Sequence, residues 1–154
     1  MQTPEHALVL NRIMAAPRAT LWRCWTEAKL LEQWFCPKPW FVTDAQIDLQ
    51  PGGIFACTMN GPEGESFPST GVFLAVEPEA RLVTTDAFLP GWVPSSRAFL
   101  TSEILFEDLG DGTTRYTARA MHWSDEARQE HEAMGFHEGW AAAADQLEAI
   151  ARTL

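Results

Sequence analysis

Cations are scarce in this chain. Its 154 residues hold 11 Lys and Arg against 21 Asp and Glu, a formal net charge of −10 at pH 7. Nucleic-acid affinity comes mostly from Lys and Arg neutralising phosphates, so the balance argues against a general nucleic-acid binder. The same deficit disfavours docking on an anionic membrane surface. No apolar run approaches the ~18 residues of a transmembrane helix, and no membrane insertion is expected. Residues 1–5 are polar and lack a basic stretch leading into an apolar one, so no signal peptide is expected there. Cysteine is also sparse. Cys24, Cys36 and Cys57 are an odd count with no C-x-x-C pair, which implies no disulfide framework. Together these absences lead to the expectation of a soluble, cytoplasmic protein.

The usual chemical signatures are missing as well. Gly91-Trp92-Val93-Pro94-Ser95 is not a G-x-S-x-G elbow, and neither a G-x-G-x-x-G nor a G-x-x-x-x-G-K-[ST] phosphate loop occurs. His131-Glu132 through His137 reads H-E-x4-H rather than the H-E-x-x-H of zinc helices. At ~100° per residue, positions six apart fall on opposite sides of a continuous helix. The three cysteines lack ligand spacing too. Neither a metal nor a cofactor is expected.

What the chain does have is aromatic surface. Nine Phe and seven Trp stand beside a single Tyr, in a composition that is 46% hydrophobic. So much ring area must fill a core, line a pocket or form an interface. Residues 6–14 alternate as a strand. Pro17 then suits a helix start, followed by the stripe Leu21, Trp22 and Trp25. Thr26 is placed to cap a second short helix carrying Leu30, Leu31 and Trp34. Six strands follow, at about 40–49, 53–60, 68–77, 81–89, 97–107 and 113–123, separated by Gly- and Pro-rich turns. Their alternation, as in Phe55, Cys57 and Met59, predicts an antiparallel sheet with one buried face. Ser124 is a candidate N-cap for one long helix whose stripe is Phe136, Trp140, Ala143, Leu147, Ile150 and Leu154. Gly135 and Gly139 weaken that helix by ~1 kcal/mol each relative to Ala. With no repeat or linker in the sequence, a single domain spanning residues 1–154 is expected.

The order of strand, two short helices, meander and terminal helix resembles the helix-grip arrangement of the START-like superfamily. Local strings are similar to one branch, the family related to the C-terminal domain of the activator of the Hsp90 ATPase. They are Ala16-Pro17, Gln33-Trp34-Phe35 with Pro37, and Asp48-Leu49 with Pro51-Gly52-Gly53. Gly71, Pro78 with Arg81-Leu82-Val83, and Gly112-Thr113-Thr114 continue the series. Met134-Gly135-Phe136, then Gly139-Trp140 and Gln146-Leu147, resemble the C-terminal signature. The resemblance runs from about residue 7 to 152. It implies an α+β helix-grip fold, a curved antiparallel sheet of about seven strands around a long C-terminal helix. It also implies a cavity between sheet and helix that holds an apolar or amphipathic small molecule.

Phe55, Met59, Asp86, Trp92, His122, Phe136 and Trp140 are the expected lining of that cavity. Trp34, Phe35, Trp40, Phe88 and Trp123 are further aromatics at positions where it would be lined. A site of this kind needs ~300–1,000 Å³ with apolar walls and a few polar groups. The alternative is a solid aromatic core, since interiors are normally close-packed. Trp92 and Phe88 at the 90–94 loop are also read as part of a homodimer interface. His131, Glu132, His137 and Glu138 join Asp86 and His122 near the expected mouth. Were the protein an enzyme of cyclase or hydrolase type, His122 would be its acid or base and Asp86 would orient it. Otherwise His122 is a buried histidine satisfied by a neighbour. A third reading makes the chain a co-chaperone-like partner of an Hsp90-type ATPase through its outer surface.

Overall fold

Alternating apolar and polar residues build the first strand, and the computed structural model describes residues 6–154. The expectation about residues 1–5 lies outside them. Strand β1 (Ala7–Met14) leads into helices α1 (Arg18–Thr26) and α2 (Ala28–Leu31). Strands β2 (Phe41–Ile47), β3 (Ile54–Asn60), β4 (Ser66–Glu77) and β5 (Arg81–Thr85) follow. A small hairpin of β6 (Phe88–Leu89) and β7 (Val93–Pro94) precedes β8 (Thr101–Asp108) and β9 (Thr114–Met121). Helices α3 (Asp125–Ala133) and α4 (Phe136–Ala151) close the chain. The main sheet is antiparallel in the order β1-β9-β8-β5-β4-β3-β2. Seven strands and a terminal helix make this the α+β helix-grip fold.

Helix α4 buries Phe136, Ala143, Ala144, Leu147 and Ala151. Ala143, Ala144, Leu147 and Ala151 join a core of Met14, Leu21, Leu31, Phe73, Leu82, Ile104 and Phe106. Each fully buried side chain of leucine or phenylalanine size stabilises the fold by about 1.5–3 kcal/mol. Polar contacts then set where the helix lies. Arg12 donates to Asp145 and Glu148, both at 2.7 Å. Gln146 Nε2 donates to the carbonyls of Trp34 at 3.0 Å and Cys36 at 2.7 Å. Its Oε1 accepts the Lys38 N–H at 2.9 Å.

Three local expectations are corrected. The C-terminal helix is two helices, not one, because Gly135 adopts φ +95° in the left-handed region that glycine enters without Cβ strain. The strand expected over 81–89 ends at Thr85, and β8 starts only at Thr101. Between them Asp86 Oδ1 accepts the N–H groups of Phe99 at 2.8 Å and Leu100 at 3.1 Å, replacing ladder bonds with a side-chain acceptor. Thr26 does not cap α2: its hydroxyl bonds back to the Trp22 carbonyl at 2.8 Å, and Glu27 stands at the cap. Ser124 does cap α3, accepting the Ala127 N–H at 3.1 Å.

Gly71 marks a close crossing of β4 over the end of β5. A Cβ there would stand 2.2 Å from the Thr85 carbonyl oxygen. Backbone on both sides leaves nothing flexible to yield. Gly71→Ala is expected to destabilise the protein by about 1–3 kcal/mol, measured by urea unfolding.

Candidate functional site

The concave face of the sheet and the N-terminal half of α4 do not meet fully. They leave a cavity of about 430 Å³. Period-two geometry puts Phe55, Cys57 and Met59 of β3 on its wall together. Leu10 of β1, Tyr116 and Ala118 of β9, and Gly71 of β4 extend that wall. Trp25, Trp34 and Phe35 close one side, while Gly139, Trp140 and Ala143 border it from α4.

Hydrogen bonds hold the aromatic side in place. Trp25 Nε1 donates to the Tyr116 hydroxyl at 3.1 Å, and Trp34 Nε1 to the Cys24 carbonyl at 3.0 Å. The Trp25 ring meets Trp34 and Phe35 edge-on, with centroids 5.0 and 5.6 Å apart. Such pairs add about 0.5–1.5 kcal/mol beyond their buried area. Cys36 and Cys57 also face the cavity, and burial pushes their thiols up to about 11 and about 12. They are therefore poor nucleophiles at neutral pH.

Polar groups are few. The hydroxyls of Thr84 and Ser102 lie 2.6 Å apart across β5 and β8, and both line the cavity. Asp86 reaches it from just beyond β5. His131 reaches it from α3, with its Nδ1 2.9 Å from His122 Nε2. His122 Nδ1 in turn lies 2.8 Å from the His6 carbonyl. A carbonyl only accepts, so His122 Nδ1 carries the hydrogen; with both rings neutral, its Nε2 receives one from His131 Nδ1. Burial, reinforced by the neighbouring His122, depresses His131 to about 4. The ring is thus neutral at pH 7.

Of the residues expected to line the cavity, Phe55, Met59, Asp86, Phe136 and Trp140 lie on it. Trp92 and His122 do not. Trp92 belongs to the β6–β7 hairpin, where it packs edge-on against Phe88 and over Gly52 with half its surface exposed. His122 stands behind His131 with both ring nitrogens engaged. Nor are Asp86 and His122 hydrogen-bonded to each other, because Asp86 Oδ1 serves the 99–100 backbone. Trp34 and Phe35 line the cavity; Trp40, Phe88 and Trp123 lie elsewhere. His137 pairs with Glu132 at 2.8 Å on the exposed side, away from the buried His131. Alternation along the last strand turns Tyr116 and Ala118 inward, and both lie on the wall; Trp25, Phe99, Thr84 and Ser102 were not expected there. Of these four, Ser102 carried a signal, as a lone hydroxyl in the apolar alternation Leu100, Ser102, Ile104 and Phe106.

Residues 15–152 match the family model described as Activator of Hsp90 ATPase homolog 1-like protein. No curated protein matches the chain. Among solved structures, protein NE0264 from Nitrosomonas europaea is 42% identical, with a TM-score of 0.93 over 98% of this chain and 97% of that one. Protein Ms6760 from Mycobacterium smegmatis is 28% identical, with a TM-score of 0.77 over 94% of this chain and 89% of that one. A protein from Arthrobacter aurescens at 24% identity shares the fold, with a TM-score of 0.82 over 96% of this chain and 87% of that one.

The depressed His131 has a thermodynamic consequence. Between its ordinary 6.5 and about 4, the unfolded chain binds a proton that the folded chain refuses. Stability contributed by the neutral ring is therefore present above pH 6.5 and lost as pH falls toward 4. His131→Gln keeps an N–H donor for His122 and removes the titration. Urea unfolding from pH 7 to 4.5 is expected to show a shallower loss in this variant, by up to about 1.4 kcal/mol per pH unit. An unchanged slope would show that the acid sensitivity comes from groups other than His131.

Proposed function

The chain belongs to the Activator of Hsp90 ATPase homolog 1-like family, and on that premise we propose that it is a binding module for an apolar or amphipathic small molecule. The ligand occupies the cavity between the sheet and α4. One observation carries this reading: the fold leaves side-chain volume out where a core would fill it. Gly139 falls on the gripping face, three residues after Phe136 and four before Ala143, and borders the cavity. A Cβ built there meets nothing within 4 Å. Glycine in a helix interior costs about 1 kcal/mol relative to alanine, so propensity alone would favour a larger residue. The volume of about 430 Å³ falls within the range of small-molecule sites. A reducing compartment such as the cytoplasm suits the three free thiols.

The acid–base alternative has less support, since Asp86 and His122 serve different partners. An Hsp90-type partner would engage the outer surface and make no use of the cavity.

Thermal shift and native mass spectrometry across lipids and neutral aromatics are expected to find at least one stabilising class. In Gly139→Leu the added side chain occupies the opening, so binding is expected to fall at least tenfold with an unchanged or raised Tm. Apo protein alone, with no shift across the library, would reject the reading.

A further inference from the structure

Among the described residues that line the cavity, none is Lys or Arg. The formal charge on its wall is negative and comes from Asp86. One Asp86 oxygen is held by the Phe99 and Leu100 amides, while Oδ2 has no hydrogen-bond partner among the described residues. The second polar element is the histidine relay. The His6 carbonyl fixes a hydrogen of His122 on Nδ1; with both rings neutral, this leaves His122 Nε2 to accept from His131 Nδ1. A neutral His131 then has only a lone pair on Nε2. That atom has no hydrogen-bond partner among the described residues, in a side chain more than nine-tenths buried that lines the cavity. Two residues lining the cavity therefore each carry an acceptor atom, Asp86 Oδ2 and His131 Nε2, with no hydrogen-bond donor among the described residues.

We infer that the cavity selects neutral or cationic ligands bearing an O–H or N–H donor and discriminates against carboxylates and other anions. This rests on the cavity being a binding site. A carboxylate entering here would leave water with no cation to pair it, beside a carboxylate already present. Desolvating an unpaired charge is among the costliest events in protein interiors. An alcohol or amine supplies what Asp86 and His131 lack. The Thr84–Ser102 hydroxyl pair can donate in return to a neutral oxygen, which suits an alcohol further. The start of α4 brings a positive dipole end to the wall, and Glu138 already occupies its first turn. Burial supports the same direction by keeping His131 unprotonated at neutral pH.

Calorimetry at pH 7 with four probes of one ring system tests the inference. They are 2-methylnaphthalene, 2-naphthalenemethanol, 2-(aminomethyl)naphthalene and 2-naphthoate. The alcohol and the amine are expected to bind at least tenfold more tightly than the naphthoate. Asp86→Asn keeps an oxygen for the two amides while removing the charge, and is expected to narrow the alcohol-to-naphthoate ratio to within about threefold. His131→Phe is expected to weaken the alcohol about fivefold while leaving the hydrocarbon unchanged. Naphthoate binding as tightly as the alcohol in the wild-type protein would overturn the selectivity and leave the binding reading intact. Failure of all four probes to bind, together with no shift across the lipid and aromatic library, would overturn the binding reading, and the selectivity with it.

Discussion

The seating of one end of α4 on the sheet is the constraint on which the rest depends. Ala143, Ala144, Leu147 and Ala151 are small or fully inserted, so the C-terminal half of the helix lies close over the core. Arg12 and Gln146 then fix its position from opposite sides. The ion pairs are partly exposed and contribute only about 0–1 kcal/mol each. Their effect is on register more than on strength. With one end seated on a curved sheet, the other end borders open space, and the cavity follows from that geometry.

Order within the cavity comes from pairing polar atoms on aromatic rings. A buried indole N–H without an acceptor would cost about 1–3 kcal/mol, which gives Trp25 and Trp34 a strong preference for their present orientations. The wall is therefore set before anything enters it, which lowers the ordering cost of binding. At the other side, the His6–His122–His131 chain ties α3 to the end of β9 through hydrogen bonds. Gly135 lets α3 turn away from the axis of α4 so that His131 can reach this position.

Much of the architecture was legible because periodicity is a local property. Alternation along β3, β4 and β8, the Pro17 start and the Ser124 cap can each be read within a few residues. Gly135 was visible as a weak point in a helix, but its left-handed conformation depends on what His131 finds when buried. Asp86 illustrates the same limit. Whether it orients a histidine or holds a loop depends on which groups lie across the fold, and the Phe99 and Leu100 amides lie 13 and 14 residues away. Trp92 carries the same message as Trp140 in composition, yet one covers a surface turn and the other borders a cavity. Sequence separates strand faces well. It does not say how far the opposing layer stands off.

Trp25 belongs at once to the hydrophobic core and to the cavity wall. At that deep end, any change of shape is also a change in folding energy, and a large-to-small replacement there costs about 3–5 kcal/mol. Set against a typical total of 5–15 kcal/mol, such a change leaves little margin. Met134, three-quarters exposed at the rim, carries no such penalty. Descendants of this scaffold are therefore free to diverge at the entrance while the floor stays nearly invariant, so new specificities would arise by altering the rim rather than recutting the interior.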